Sequence, residues 1–383
     1  MNPHVNSKLP GIGPTIFTRM SALAAECGAI NLSQGYPDFE APKALREALA
    51  RAVMDGHNQY APMNGLAALR EQLAIQLRLH RGVECHPDTE ITVVPGATEG
   101  IFCAVMACVG PGDEVLVLDP CYDSYQPAIE LAGGTAVHVA LQADSFAVDW
   151  PAVEAELGPR SRMIMINSPH NPTGATLDDA DMRRLETLAE RYNLLVCSDE
   201  VYEHLSYDGL PHRSVLQYPG LRERSFAHFS FGKTFSVTGW KTGYCVAPPA
   251  LTSELRKVHQ FVAFVAVTPV QQALADFLAA DPNYPASLAD FYQRKRDLFC
   301  AALAGSRFRL KPASGTYFQL LDYSEISEVP DYQLCERWTR EIGVASIPIS
   351  VFYQRPPAQH HLRVCFAKSE ATLKQAAEML CRI

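Results

Sequence analysis

The sequence predicts an α/β layered fold: a large unit with a mostly parallel sheet flanked by helices, followed by a smaller α+β unit. Three observations lead there. Between Pro42 and about Gln272, amphipathic helix-like runs alternate with short β-branched segments, the rhythm of strand–helix crossovers. After Pro282 that rhythm gives way to a long polar helix, short strands and further helices. Finally, 383 residues exceed what one compact core usually organises, so two domains are expected. Their limits are read as 42–281 for the large domain and 282–383 for the small one, with residues 1–41 an N-terminal arm that completes the small domain.

Element by element, strands are expected at Glu90 to Val94, Glu114 to Leu118, Thr135 to Val139, Arg162 to Ile166, Leu194 to Ser198, Ser225 to Ser230 and Thr242 to Val246. They are short, β-branched and separated by turn residues. A helix from Asp178 to Tyr192 opens with two acids, which suit the positive end of the helix dipole. Beyond Pro282 the pattern predicts a helix over Ala286 to Ala304, strands at Phe308 to Leu310 and Thr316 to Leu321, a helix near Tyr332 to Glu341, and a strand and helix from Leu362 to Ile383. The segment before Ala41 carries Gly11, Gly13 and Pro14 and shows little periodicity. It is expected to lie as an arm across another surface and to close the active site.

Composition narrows the function. Asp and Glu number 42 against 33 Lys and Arg, a net charge of -9, so nothing draws the chain onto nucleic acid or anionic lipid. Any anion must be gathered by a local site. The 11 cysteines are scattered, with no Cys-x-x-Cys pair, which points to reduced thiols in a cytoplasmic protein. Residues 1–14 lack the basic start and apolar stretch of a secretion signal, and apolar runs such as Ile101 to Val109 are too short to cross a bilayer. No His-x-x-x-His pair suggests a metal, and none is expected.

Five segments carry the chemistry. Lys233 lies in Ser230-Phe231-Gly232-Lys233, straight after a predicted strand; held rigid and desolvated, such an amine becomes a nucleophile toward an aldehyde. Asp199 follows the strand Leu194 to Ser198, at the end of a buried strand where open α/β sheets bind ligands. A carboxylate there needs a partner, and the alternative is a helix N-cap. Asn171 sits in a proline-stiffened loop, Ser168 to Gly174, and could offer a neutral amide to a phenolic oxygen; the bland reading is an ordinary turn. Gly96 to Gly100 precede an apolar helix and could cradle a phosphate on backbone N–H groups, unless Thr98 is simply a cap. Arg363 places one guanidinium in the apolar strand Leu362 to Phe366, where it requires an anion; an edge-strand salt bridge is the alternative.

In this order, these segments resemble the class I aminotransferases of fold type I pyridoxal-phosphate enzymes, over essentially the whole chain. The similarity is closest to the branch of methionine and kynurenine or glutamine aminotransferases, through residues 31–39 (NLSQGYPDF), 59–65 (QYAPMNG), 168–174, 198–203 (SDEVYE), 231–244 and 363–368 (RVCFAK). The resemblance implies pyridoxal 5'-phosphate as cofactor, with Lys233 its Schiff-base partner and proton shuttle, Asp199 on the pyridine nitrogen, and Tyr202 and Asn171 on the phenolic oxygen. Tyr122 would stack on the ring. Ala97, Thr98, Ser230 and Lys241 would hold the phosphate, joined by Tyr60 from a second subunit of a homodimer. Arg363, Gly35 and Asn171 would bind the substrate.

Two departures stand out: Lys241 where many members have arginine, and Tyr36 where this branch has phenylalanine. With no second basic residue for a side-chain carboxylate, methionine and aromatic donors are expected, exchanged against a 2-oxo acid. The enzymatic alternative is a cysteine-conjugate β-lyase. A ligand-sensing regulator is the non-enzymatic one, and it would need a DNA-binding region for which the N-terminal segment is too short.

Overall fold

The computed structural model describes residues 6–383; the first five residues of the expected arm lie outside it. A seven-stranded sheet runs in the order Ile91–Val94, Gly243–Val246, Ser225–Ser230, Leu195–Asp199, Ser161–Asn167, Glu114–Asp119, Thr135–Ala140. All neighbours are parallel except Gly243–Val246, which is antiparallel to both of its partners. The four middle strands are buried along nearly their whole length, as expected for strands covered by helices on both faces. Two apolar clusters lie on those faces, one including Leu69, Ile164 and Phe229, the other Ile101, Val117 and Phe226.

Strand order places the ligand crevice. From Glu114–Asp119 the chain moves outward to the edge strand Thr135–Ala140, whereas from Ser161–Asn167 it proceeds the other way to Leu195–Asp199. The carboxyl ends on either side of that reversal, residues 119–125 and 167–171, flank a gap that no crossover fills. The helix after Ser161–Asn167 is Asp179–Arg191, one residue inside the expected limits at each end. Asp178 caps it: its carboxylate accepts from the Asp181 amide at 2.9 Å, and the Asp181 carboxylate accepts from the Asp178 amide at 3.1 Å. Reciprocal satisfaction of two end amides contributes about 1 kcal/mol.

A three-stranded antiparallel sheet, Ile347–Pro348, His361–Cys365 and Phe318–Asp322, carries the smaller unit. Its core also takes Met20, Leu23 and Leu32 from the N-terminal segment. Two expectations need correction. The segment before Ala41 is not without regular structure: Ile16–Cys27 is a helix, started by Thr15 and ended by the left-handed Gly28, and Ile30–Asn31 pairs with Val344–Ala345. The Ala29 amide donates to Ala24, the usual helix-stop geometry. Phe308 to Leu310 forms no strand; only Arg309 bridges to Asp322, because three residues beside the end of a longer strand find a single ladder partner. No helix among the described residues is long and apolar enough to cross a membrane.

Candidate active site

At the carboxyl ends of the central strands lies a cavity of about 490 Å³. Lys233, Asp199, Tyr202, Ala97, Thr98, Tyr122, Asn171, Ser230, Lys241, Gly35 and Arg363 all line it; Tyr60 does not. Gly35 and Arg363, 328 positions apart in sequence, are thus brought to one place.

Lys233 sits in the single helical turn Phe231–Thr234 that caps the strand Ser225–Ser230. Gly232 lets that turn pass close to the chain, since a Cβ there would lie 3.0 Å from the Cα of Thr238. The amine faces the Gly35 carbonyl at 3.5 Å and lies 5.8 and 5.6 Å from the ring centres of Tyr202 and Tyr317. Burial brings its pKa down to about 8, because the charged form loses hydration that neutral rings do not replace.

Asp199 ends the middle strand and is 6% exposed. Its Oδ2 accepts from the Tyr125 hydroxyl at 2.6 Å and its Oδ1 from the Val201 amide at 3.3 Å. Burial pushes the carboxyl up to about 6, against the pull of the Tyr125 hydrogen bond. No helix follows Asp199, so the N-cap alternative fails; it is a buried acid held for a cationic or N–H partner. Asn167 ties the neighbouring strand ends together, donating to the Asp199 carbonyl at 2.8 Å and accepting from the Asn171 amide at 2.7 Å.

The helix Ala97–Cys108 opens at Gly96, whose φ of 83° admits no ordinary side chain, and Thr98 does not cap it. A Cβ at Gly96 would stand 3.3 Å from Lys241 Nζ, and one at Gly243 would meet the Phe229 carbonyl and the Ala97 amide. Free helix-end amides beside an ammonium, with glycines clearing the approach, suit a phosphate.

Arg363 lies on the central strand of the small sheet, not on an edge, and is fully buried. It donates to Asn171 Oδ1 at 2.6 Å and to the Ser33 carbonyl at 3.0 Å, with the Phe318 ring 3.9 Å from its carbon. Its Nε has no partner, and no carboxylate pairs with it among the described residues. Burial draws its pKa down to about 10. A buried guanidinium with an orphaned N–H calls for an anion in the cavity.

Tyr60 is 83% exposed, its ring against Phe264 at 5.5 Å, with Phe261 exposed nearby in sequence. Tyr36 lines the mouth of the cavity; Lys368 donates to its carbonyl at 2.8 Å and stands 4.4 Å from its ring.

Sequence reasoning missed Tyr125, Asn167, Tyr317 and Phe318. Tyr317 donates to the Gly35 carbonyl at 2.7 Å, and a Cβ at Gly35 would lie 2.6 Å from Phe318. The expected strand Thr316 to Leu321 contains Tyr317 and Phe318, and the one ending at Ile166 stops a residue short of Asn167, but neither pattern gave these side chains a role. The fold also gathers Glu99 with Cys103 and His259, and Asp119 with Cys121 and His138, which no spacing announced. In the first set, Cys103 at 3.1 Å and His259 at 2.8 Å both reach Glu99 Oε1, while the other His259 nitrogen faces the Met63 carbonyl at 3.2 Å. Their contacts tie the helix behind the phosphate cradle to Pro249–Val262, while Glu99 Oε2 is left buried without a partner.

Comparison with known proteins follows this geometry. Residues 28–380 match the model of the family described as aminotransferase class I and II. The chain is 50% identical to methionine aminotransferase of Escherichia coli over 380 residues, covering 99% of this chain and 98% of that protein. It is 31% identical to kynurenine–oxoglutarate transaminase 1 of Rattus norvegicus, covering 97% and 96%. Among solved structures, YbdL of Escherichia coli, reported with a methionine aminotransferase function, superposes with a TM-score of 0.97 at 49% identity over the full length of both chains. N-succinyldiaminopimelate aminotransferase from Mycobacterium tuberculosis superposes with a TM-score of 0.96 at 38% identity, covering 99% of this chain and 100% of that one.

Proposed function

The chain belongs to the class I and II aminotransferases and has their fold, and from this we propose that its cavity holds pyridoxal 5'-phosphate and passes amino groups between methionine or an aromatic amino acid and a 2-oxo acid. The observation that carries the reading is the convergence of a desolvated amine, Lys233, and a buried acid, Asp199, on one cavity. Methionine is favoured by the half-identical Escherichia coli relative.

The residues fit the cofactor. Ala97, Thr98, Ser230 and Lys241 would hold the phosphate, Tyr122 the ring face, Tyr202 and Asn171 the phenolic oxygen, and Asp199 the ring nitrogen. Bound there, the cofactor supplies an aldehyde that captures amines and an electron-poor ring that stabilises charge at the substrate Cα. Lys233 Nζ would take the proton from the substrate Cα. Its burial keeps a useful fraction unprotonated near neutral pH. Asp199, in its ionised form, would keep the ring nitrogen protonated. Because the Asn171 side-chain oxygen is occupied by Arg363, its amide N–H remains as a donor. Arg363 would orient the substrate carboxylate, and Gly35, without a Cβ, packs close against Phe318 and Tyr317 so that its backbone lies at the cavity.

A homodimer completes the site in this reading, with Tyr60 of each subunit reaching the other's phosphate. The exposed Tyr60, Phe261 and Phe264 supply apolar surface for it. We place the domain limits at 42 and 282, and the protein in the cytoplasm, where its eleven unpaired cysteines would stay reduced. The test is an absorbance spectrum followed by incubation with methionine and a 2-oxo acid. Keto-acid exchange that disappears in Lys233→Ala supports transfer; pyruvate and ammonia released from a cysteine conjugate, without exchange, would assign a lyase instead.

A further inference from the structure

Five charged side chains line the cavity: Asp123, Asp199, Lys233, Lys241 and Arg363. Four have an occupation in the reading above: Asp199 faces a ring nitrogen, Lys233 the aldehyde, Lys241 a phosphate, and Arg363 the substrate carboxylate. Asp123 is left over. It follows Tyr122 directly, and among the described residues its carboxylate has no hydrogen-bond or ion-pair partner in another side chain, only its own backbone. The residues of the mouth, Thr15, Phe17, Thr18, Gln34 and Tyr36, bring no cation toward it.

We propose that Asp123 is a specificity-determining residue, which turns away amino acids with a carboxylate in the side chain and so leaves the cavity to uncharged thioether, amide and aromatic side chains. The inference rests on the transaminase reading and names its substrate class more narrowly. A substrate whose α-carboxylate sits on Arg363 must direct its side chain into the remaining space. An anionic side chain then meets the carboxylate of Asp123, and among the described residues lining the cavity no further cation offsets it. A neutral side chain of the same shape meets no such repulsion. The carboxyl is partly desolvated: burial pushes its pKa up while Arg363 pulls it down, so Arg363 is the charge it feels most. Repulsion between two like charges in a half-buried site, screened by nearby solvent, amounts to roughly a tenfold discrimination or more.

Glutamine against glutamate, and asparagine against aspartate, isolate charge from size. The experiment follows the spectral half-reaction of the pyridoxal-phosphate holoenzyme with each of the four, and with methionine, at fixed ionic strength. Wild type should prefer each amide to its acid by about tenfold or more in apparent second-order rate. Asp123→Asn should cut both ratios by about fivefold or more, Asp123→Ser should do the same, and Asp123→Glu should keep them. Even ratios in wild type, or ratios unchanged in both neutral variants, overturn the inference while methionine turnover leaves the transaminase reading standing. Absence of any methionine half-reaction overturns that reading, and this inference with it.

Discussion

Replacing Arg363 by lysine keeps the charge and removes the fork. In the present geometry the guanidinium spends one terminal nitrogen on Asn171 and the other on Ser33, with its Nε free and its face on Phe318. A lysine ammonium is a point charge on a different stem and cannot hold both partners while offering two parallel N–H groups to a substrate carboxylate. One charge-assisted hydrogen bond to substrate is lost outright, worth roughly 1.5–3 kcal/mol. Releasing Asn171 and the loop at Ser33 misplaces the amide and the substrate further. The sum is roughly 2–4 kcal/mol of transition-state stabilisation, or about 30- to 1000-fold in kcat/KM. The assay is steady-state kinetics with methionine and a 2-oxo acid, beside circular dichroism and a melting curve to establish that the variant folds. A folded Arg363→Lys enzyme within threefold of wild type in kcat/KM would refute the role assigned to the guanidinium.

Two further outcomes follow from the buried acid and the buried amine. Because the folded-state pKa of Asp199 is raised to about 6, the favourable contribution of its protonated form is complete below about 4 and is lost as pH rises through 6. Above that, in the cofactor-free chain, the ionised group costs roughly 2–3 kcal/mol. Asp199→Asn should therefore raise the melting temperature of the cofactor-free protein at pH 8, with a smaller gain at pH 5, while lowering turnover at least 100-fold; a lower melting temperature at both pH values counts against it. For Lys233, with its pKa brought down to about 8, only the unprotonated amine attacks an aldehyde. Capture of pyridoxal phosphate by the cofactor-free chain should accelerate from pH 6 upward and level off with an inflection near 8, as followed by stopped-flow absorbance, and an inflection near the ordinary lysine value of about 10.4 would contradict the desolvated site.

Much of the fold was legible because its strands are short, β-branched and bounded by turn residues. All seven strands of the large sheet form where the pattern puts them, within a residue or two at their ends. The helix Ile16–Cys27 was not legible: glycines and a proline just before it masked a pattern whose buried residues are only Met20, Leu23 and Ala24. Phe308 to Leu310 looked like a strand because it is apolar at both ends, but it lies beside the last residue of Phe318–Asp322 and so finds a single ladder partner.

The sequence by itself determined which residue types stand at strand ends and loop turns: a lysine after one strand, an acid after another, an arginine inside an apolar strand. Those are local facts, set by periodicity and turn chemistry within a dozen residues. Only the tertiary structure decided how these groups are held: that Tyr125 donates to an acid 74 positions away, that Arg363 turns onto Asn171 and Phe318, and that Asp123 shares the cavity without a partner. The reason is physical. Burial and pairing depend on which surfaces meet when distant segments of the chain pack together, and the pKa of an amine or a carboxyl answers to that environment rather than to its neighbours along the chain.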